Sequence, residues 1–210
     1  MSAACENTPV QAVVFDVGKV LVEWDMRLLF AKLIDDPDQL DTFLSTVVTQ
    51  DWHFEHDAGR DLAEMVAARK VEFPGHDHLL DAYATRFAET LPGNVPGTHA
   101  IVQELAARGV PLFAITNFAS TFWHQYRASE PLFDLFADIV VSGDEKLVKP
   151  DRAIFDLAAE RFGHDPHTML FVDDNAANVA AARALGWQVH HFHDAAALRA
   201  DLAARGLITA

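Results

Sequence analysis

The sequence predicts an α/β protein: a Rossmann-like, doubly wound parallel sheet with an all-helical insertion after its first strand. Three observations predict it. From residue 97 onward, short apolar runs alternate with helical stretches of about 10–15 residues, the pattern of a parallel sheet covered by helices on both faces. Residues 26–90 carry apolar positions at helical spacing and no strand. A separate apolar run at 11–15 precedes that helical block, so the block interrupts the α/β pattern.

Taken in order, the first strand spans 11–15 and is apolar without alternation, as in a strand buried on both faces. In the insertion Leu28, Leu29 and Leu33 share a helical face, followed by Leu40, Phe43, Leu44 and Val47. Leu62, Met65 and Val66 continue the pattern, as do Leu79, Leu80, Tyr83 and Phe87. Pro37, Gly59 and the Pro74-Gly75 pair punctuate these segments, which gives four or five helices. The clearest linker is Leu91-Pro92-Gly93-Asn94-Val95-Pro96-Gly97. The expected division is a core of residues 1–22 and 93–210 around an inserted unit of 23–92. Past the linker a helix over about 97–108 is stopped by Gly109, and strands follow at 110–116 and 138–142 with a helical stretch between them. A helix from Asp151, a strand at 168–174, and a helix over 175–185 stopped by Gly186 come next. A strand at 187–192 and an Ala-rich helix over 195–204 complete the pattern.

Composition narrows the function classes. Half of the 210 residues are hydrophobic and 22% are charged, a globular balance. The net charge of −15, with no Lys/Arg-rich stretch, argues against nucleic acid and anionic membranes as partners. A small anionic substrate stays compatible with a locally positive site. The single cysteine, Cys5, supports neither an intramolecular disulfide nor a zinc site. No basic-then-apolar leader precedes residue 11 and no apolar run approaches a membrane span, so the expectation is a cytoplasmic protein.

In a doubly wound sheet, ligands bind beyond the C-terminal ends of the strands. The first strand there delivers Asp16, the second Thr116-Asn117, and the fourth Asp173-Asp174-Asn175. The third is followed by a loop carrying Lys146 and Lys149. Clustered carboxylates raise one another's pKa unless a cation neutralises them. Hard oxygen ligands suit Mg²⁺. A hydroxyl, an amide and a lysine supply donors to phosphate oxygens. A carboxylate not consumed by the metal can attack phosphorus.

These four segments, in this order, resemble the motifs of the haloacid dehalogenase-like (HAD) hydrolases over residues 11–193. "VVFDVGKVLV" places Asp16 at the nucleophile, and "AITN" places Thr116 at the phosphate-binding hydroxyl. Lys149 in "VKPD" falls at the lysine that steadies nucleophile and phosphate. Asp173 and Asp174 in "FVDDN" fall at the acidic pair that holds Mg²⁺. The resemblance implies an insertion acting as a small helical cap, with "HDAGRDLAEM" similar to a turn-then-helix of such caps. It implies a Mg²⁺-dependent phosphatase of a small phosphorylated metabolite, sugar phosphates included, working through an aspartyl-phosphate. Asp16 and Lys149 would be catalytic, and Thr116 and Asn117 would bind substrate. Asp16, the Gly18 carbonyl, Asp173 and Asp174 would hold the metal.

Gly18 departs from the family pattern. Most phosphatases of the family carry an aspartate two residues after the nucleophile, as proton donor and then base. Losing such a group costs roughly 10²–10⁴-fold. Three readings follow. The first is a phosphatase whose leaving group needs little protonation, or whose acid comes from Glu23, Asp25, His53 or His56. The second is a metal-independent 2-haloacid dehalogenase, whose halide leaves without a proton. The third is a catalytically impaired ligand-binding member. The intact Asp173-Asp174 pair favours metal and phosphate, because unneutralised carboxylates would repel a haloacid. Strand alternation puts Lys19 on the side of Val17, away from the reaction.

The remaining features carry ordinary readings beside functional ones. His190, His191 and His193 alternate across the last strand, where ordinary hydrogen bonding outweighs a metal site. His53, His56, His76 and His78 fall in the insertion, where one or two would face the cleft. Trp24, Trp52, Phe54 and Trp123 either line that cleft or pack cap against core.

Overall fold

The computed structural model describes residues 8–209, so Cys5 lies outside the described residues. Five parallel strands form one sheet: β1 (Ala12–Phe15), β2 (Leu112–Thr116), β3 (Asp138–Val141), β4 (Met169–Asp173) and β5 (Gln188–His191). Their spatial order is β3-β2-β1-β4-β5. The order reverses at β1, which pairs with β2 on one side (Phe15 opposite Ala114) and with β4 on the other (Phe15 opposite Val172). The crevice of a doubly wound sheet opens at such a switch point. Here the switch lies between the strand that ends before Asp16 and the strand that ends in Asp173.

Successive strand residues point to opposite faces, which builds two apolar layers. Val13, Phe15, Ala114, Leu170 and Val172 pack on one face. That face is covered by α6 (Thr98–Ala107), α7 (Ser120–Arg127) and α11 (Ala195–Ala204). Ala12, Val14, Ile115, Val140 and Phe171 pack on the other, under α9 (Arg152–Phe162) and α10 (Ala176–Ala184). Continuous apolar runs are therefore what the central strands need. Gly109 (φ 74°) and Gly186 (φ 91°) end α6 and α10 in the left-handed region, as the sequence predicts. A four-residue turn, α8 (Ser142–Glu145), follows β3.

Five helices fill the insertion: α1 (Arg27–Phe30), α2 (Pro37–Thr46), α3 (Gln50–Asp57), α4 (Leu62–Glu72) and α5 (Asp77–Arg86). A 3₁₀ turn over Phe87–Thr90 leads out of it. Side chains of Asp36, Thr49 and Asp61 cap the N-termini of α2, α3 and α4. The two connections between insertion and sheet run side by side. Val22 and Asn94 form an antiparallel bridge, the Glu23 N–H donates to the Gly93 carbonyl at 2.8 Å, and the Val95 N–H donates to the Leu21 carbonyl at 3.1 Å.

An aromatic seam joins insertion and sheet domain. The ring of Phe87 stacks on Phe122 of α7 at 3.9 Å, and Tyr83 and His56 meet the same ring edge-on. Trp52 packs on Tyr83, and Trp123 packs on Phe118 and Phe133. Those two tryptophans serve packing, whereas Trp24 and Phe54 line the cavity described next.

Candidate active site

The end of β1 is held tightly. The Asp16 N–H donates to the Val172 carbonyl at 2.8 Å, and the Val17 carbonyl accepts from the N–H groups of Leu21 and Val22. This fixes Asp16 as the first residue past the strand, with its side chain at the switch point. Asp16 Oδ1 accepts the Val17 N–H at 2.6 Å and the Lys149 ammonium at 2.8 Å. Both donors fall on Oδ1, so Oδ2 is the oxygen left for the cavity.

Lys149 is 2% exposed and also donates to Asp173 Oδ2 at 2.8 Å. Its backbone is clamped by Asn117, whose Oδ1 accepts the Lys149 N–H and whose Nδ2 donates to the Lys149 carbonyl, both at 2.9 Å. The Asn117 amide therefore positions the lysine. The Thr116 hydroxyl next to it is fully buried and has no hydrogen-bond partner. Such a group costs free energy unless something pairs with it, so it marks a place for an oxygen ligand.

Asp173 is fully buried. Its Oδ1 accepts the Asn175 N–H at 2.8 Å, and Asn178 Nδ2 spans both oxygens at 3.1 Å. Asn175 also caps α10 through the Ala177 N–H. Asp174 stands beside it, less buried, and its carbonyl accepts from His191 Nε2 at 3.0 Å. His191 and His193 rings lie 4.3 Å apart, and His190 donates to Asp201 at 2.9 Å. These histidines brace the sheet end.

One carboxylate oxygen from each of Asp16, Asp173 and Asp174 lies within 4.8 Å of the others. Burial pushes the Asp16 carboxyl up; Lys149 opposes this, while Asp173 and Asp174 add to it. Burial likewise raises Asp174, with Asp173 next in effect. Burial disfavours the Lys149 ammonium, yet Asp16 and Asp173 outweigh it and lift its pKa. Three carboxylates thus face the buried Lys149 ammonium, with Lys19 acting on Asp174 from the cavity wall, a donor set of hard oxygens still short of positive charge. Mg²⁺ fits both the ligand type and the charge deficit.

A cavity of about 230 Å³ opens above this cluster. Asp16, Gly18, Asn117, Lys149, Asp174 and Asn178 form its floor, and Trp24, His53, Phe54, Asp57, Phe87 and Leu91 face them. Lys19 lines it too, in a left-handed conformation (φ 59°), with its ammonium 5.6 Å from the Trp24 ring centroid. Strand alternation does not reach Lys19, because β1 ends at Phe15. Val17, its expected neighbour, is fully buried.

Of the four residues considered as substitute acids, only His53 is part of the cavity wall. Glu23 and Asp25 are exposed, and Asp25 accepts from the Arg27 N–H at the start of α1. His56 donates to the Arg60 carbonyl within the insertion. Asp57 and Asn178 are cavity residues that sequence reasoning missed. Asp57 left one signal: a carboxylate in the last turn of a helix opposes the helix dipole. Asn178 left none, because an Asn in the first turns of a helix after a strand end has many ordinary readings.

A family model described as haloacid dehalogenase-like hydrolase matches residues 10–186. A sesquiterpene phosphatase of Aspergillus oryzae is 26% identical over 200 residues, 93% of this chain and 96% of that one. A phosphoglycolate phosphatase of Nitrosospira multiformis is 41% identical over 95 residues, 45% of this chain and 41% of that one. An (S)-2-haloacid dehalogenase of Pseudomonas putida is 30% identical over 116 residues, 54% of this chain and 48% of that one. A HAD family enzyme of Bacteroides thetaiotaomicron, solved with magnesium and inorganic phosphate, superposes with a TM-score of 0.69. It is 19% identical and covers 88% of this chain and 95% of that one, a likeness of fold.

Proposed function

The chain belongs to the haloacid dehalogenase-like hydrolases, and we propose that within them it is a Mg²⁺-dependent phosphatase of small phosphate monoesters. One observation carries the reading: the Lys149 ammonium sits 2.8 Å from both Asp16 and Asp173, with Asp174 completing a three-carboxylate cluster at the switch point. A dianionic phosphate reaches such a site only with a cation there. Asp16 Oδ2 is the attacking oxygen, and the phosphoryl group passes to it. Lys149 holds the carboxylate in line and donates toward the phosphoryl oxygens. The unpartnered Thr116 hydroxyl donates to one phosphoryl oxygen, while Asn117 keeps Lys149 in place. Asp16, Asp173, Asp174 and the Gly18 carbonyl would hold Mg²⁺, which neutralises nucleophile and phosphate so that two anions can meet.

The cavity suggests the kind of ester. Trp24, Phe54, Phe87, Leu91 and Phe118 make much of its wall apolar and aromatic. A compact alcohol with an apolar or aromatic portion buries surface there, a sugar chiefly through its ring face. The phosphatase name of the relative that spans 96% of its own length supports the reaction class.

Gly18 favours the second reading, a metal-independent 2-haloacid dehalogenase, because a halide needs no proton. Turnover of an aryl phosphate, an alkyl phosphate, a sugar phosphate and 2-chloropropionate separates the two. Phosphate release that needs Mg²⁺ and disappears in Asp16→Asn supports the phosphatase. Chloride release that survives EDTA overturns it.

A further inference from the structure

Beside Asp16 the core offers no carboxyl free to give a proton: the Lys149 ammonium is held by Asp16 and Asp173, and the position two residues after the nucleophile is a glycine. Gly18 has no side chain, and apart from its chain neighbours Val17 and Lys19 no described residue comes within 4 Å of where its Cβ would stand. A phosphate monoester of an ordinary alcohol needs that donor when its P–O bond breaks. We propose that the Asp57 carboxyl, presented by the last turn of α3 from the cap side of the cavity, is the general acid and base of the reaction. The inference rests on the phosphatase reading above.

Asp57 is 7% exposed and lines the same cavity as Asp16. Its placement is costly twice over. A buried carboxylate loses hydration, and at the C-terminus of a helix it meets the negative end of the dipole. The fold nonetheless fixes it from three sides. The carboxylate accepts the Ala119 N–H of the loop after β2. It stands 3.5 Å from His53 Nε2, and His53 Nδ1 is 2.7 Å from the Tyr83 hydroxyl. The Asp57 carbonyl accepts from Ser142 Oγ at 2.5 Å, and Ser142 Oγ accepts the Phe118 N–H at 2.9 Å. Cap and sheet domain are thus fastened to each other at the residue that faces the nucleophile's cavity.

The neighbouring groups suit the role. Burial pushes His53 down to about 3, so the imidazole is neutral and orients Asp57 without supplying a proton. Burial pushes Asp57 up to about 7, with the charge of Asp16 adding to it, which suits a group that gives and takes a proton near neutrality. In the first step Asp16 Oδ2 forms a bond to phosphorus, the P–O bond to the alcohol breaks, and the Asp57 proton passes to the leaving oxygen. The products are the alcohol, the Asp16 acyl phosphate and the Asp57 carboxylate. In the second step Asp57 takes a proton from a water whose oxygen attacks phosphorus. Inorganic phosphate leaves, Asp16 regains its carboxylate and Asp57 its proton.

The test compares wild type with Asp57→Asn and Lys19→Met on a p-nitrophenyl ester and an alkyl phosphate, with Mg²⁺. Asparagine keeps an acceptor for the Ala119 N–H. The expected result is a 10²–10⁴-fold loss in kcat/KM for the alkyl ester in Asp57→Asn, and a much smaller loss for the aryl ester. The aryl ester should also show a burst of nitrophenol near one per enzyme, because the acyl phosphate now waits for its base. An equal loss on both esters makes Asp57 a positioning residue and overturns the proposal. So does a leaving-group-selective loss in Lys19→Met instead. The wild type supplies a reading independent of any variant: shallow dependence of kcat/KM on the acidity of the leaving alcohol supports a donor, and steep dependence refutes one. A wild type that hydrolyses no phosphate ester while Asp16→Asn changes nothing overturns the phosphatase reading itself, and the proposal with it.

Discussion

Replacing Lys149 by methionine removes one charge and keeps most of the side-chain volume over the Phe171 ring. The Lys149 side chain is 1% exposed, Asp173 0% and Asp16 11%. Taking away the ammonium leaves two buried carboxylates with no countercharge between them. Removing one partner of a buried pair costs about 3–5 kcal/mol. For a chain of this size each kcal/mol moves the melting midpoint by about 2–4 °C, so Lys149→Met should melt roughly 6–20 °C lower. Burial already raises the Asp16 carboxyl and Lys149 opposes this, so without the ammonium Asp16 holds its proton more tightly in the folded state than in the unfolded chain. That contribution is present at low pH and lost as pH rises, so the deficit should be larger at pH 8 than at pH 5. Lys146, exposed on the same loop, provides the control, and Lys146→Met should stay within about 0.5 kcal/mol of wild type. Urea and thermal unfolding at both pH values measure the effect. A Lys149→Met midpoint indistinguishable from that of Lys146→Met would refute the bridging role.

Mg²⁺ at about 100 times its dissociation constant should stabilise the wild type by about 2.7 kcal/mol. Asp173→Asn and Asp174→Asn should lose most of that gain, read as a Mg²⁺-dependent melting shift without substrate. Asp57, raised to about 7, should lower wild-type stability as pH climbs from about 4 through 7, by up to about 4 kcal/mol. The difference between Asp57→Asn and wild type in urea should therefore grow in the variant's favour with pH; a constant difference would contradict the burial argument. Ser142→Ala removes a buried hydroxyl that ties the Asp57 carbonyl to the Phe118 N–H, and should cost about 1–3 kcal/mol in urea unfolding.

Much of this architecture is legible in the sequence because its signals are local. Continuous apolar runs mark strands covered on both faces, and the Ala-rich tail matches α11 at both ends. The placement of Asp16, Thr116 and Asp173 at strand ends, and of Lys149 on the loop after the third strand, follows from the alternation of elements alone. What is not legible depends on contacts between distant segments. Asn117 reads as a phosphate ligand in sequence, whereas its amide is occupied by the Lys149 backbone, 32 positions away. Lys19 reads as a continuation of β1, whereas its left-handed backbone turns it into the cavity. Asp57 appears in sequence only inside the "HDAGRDLAEM" segment, because the docking of α3 against Ser142 and Ala119 joins positions far apart in the chain.

Gly18 gains meaning only from the other side of the cavity. In the proposed mechanism the sheet side of the cavity supplies the nucleophile, the lysine and the carboxylates, and α3 supplies the buried acid. Aromatic packing of Phe87 and Tyr83 on Phe122 joins the two walls.

The most direct test of the account is to look for the phosphoryl group on Asp16. Wild type mixed with Mg²⁺ and an aryl phosphate, quenched in acid within the first turnover, should carry one phosphoryl group on the peptide containing Asp16. Asp57→Asn should accumulate more of it, and Asp16→Asn none. A quenched enzyme that turns over the ester without any adduct at Asp16, or that is alkylated there by 2-chloropropionate in EDTA, would contradict the account.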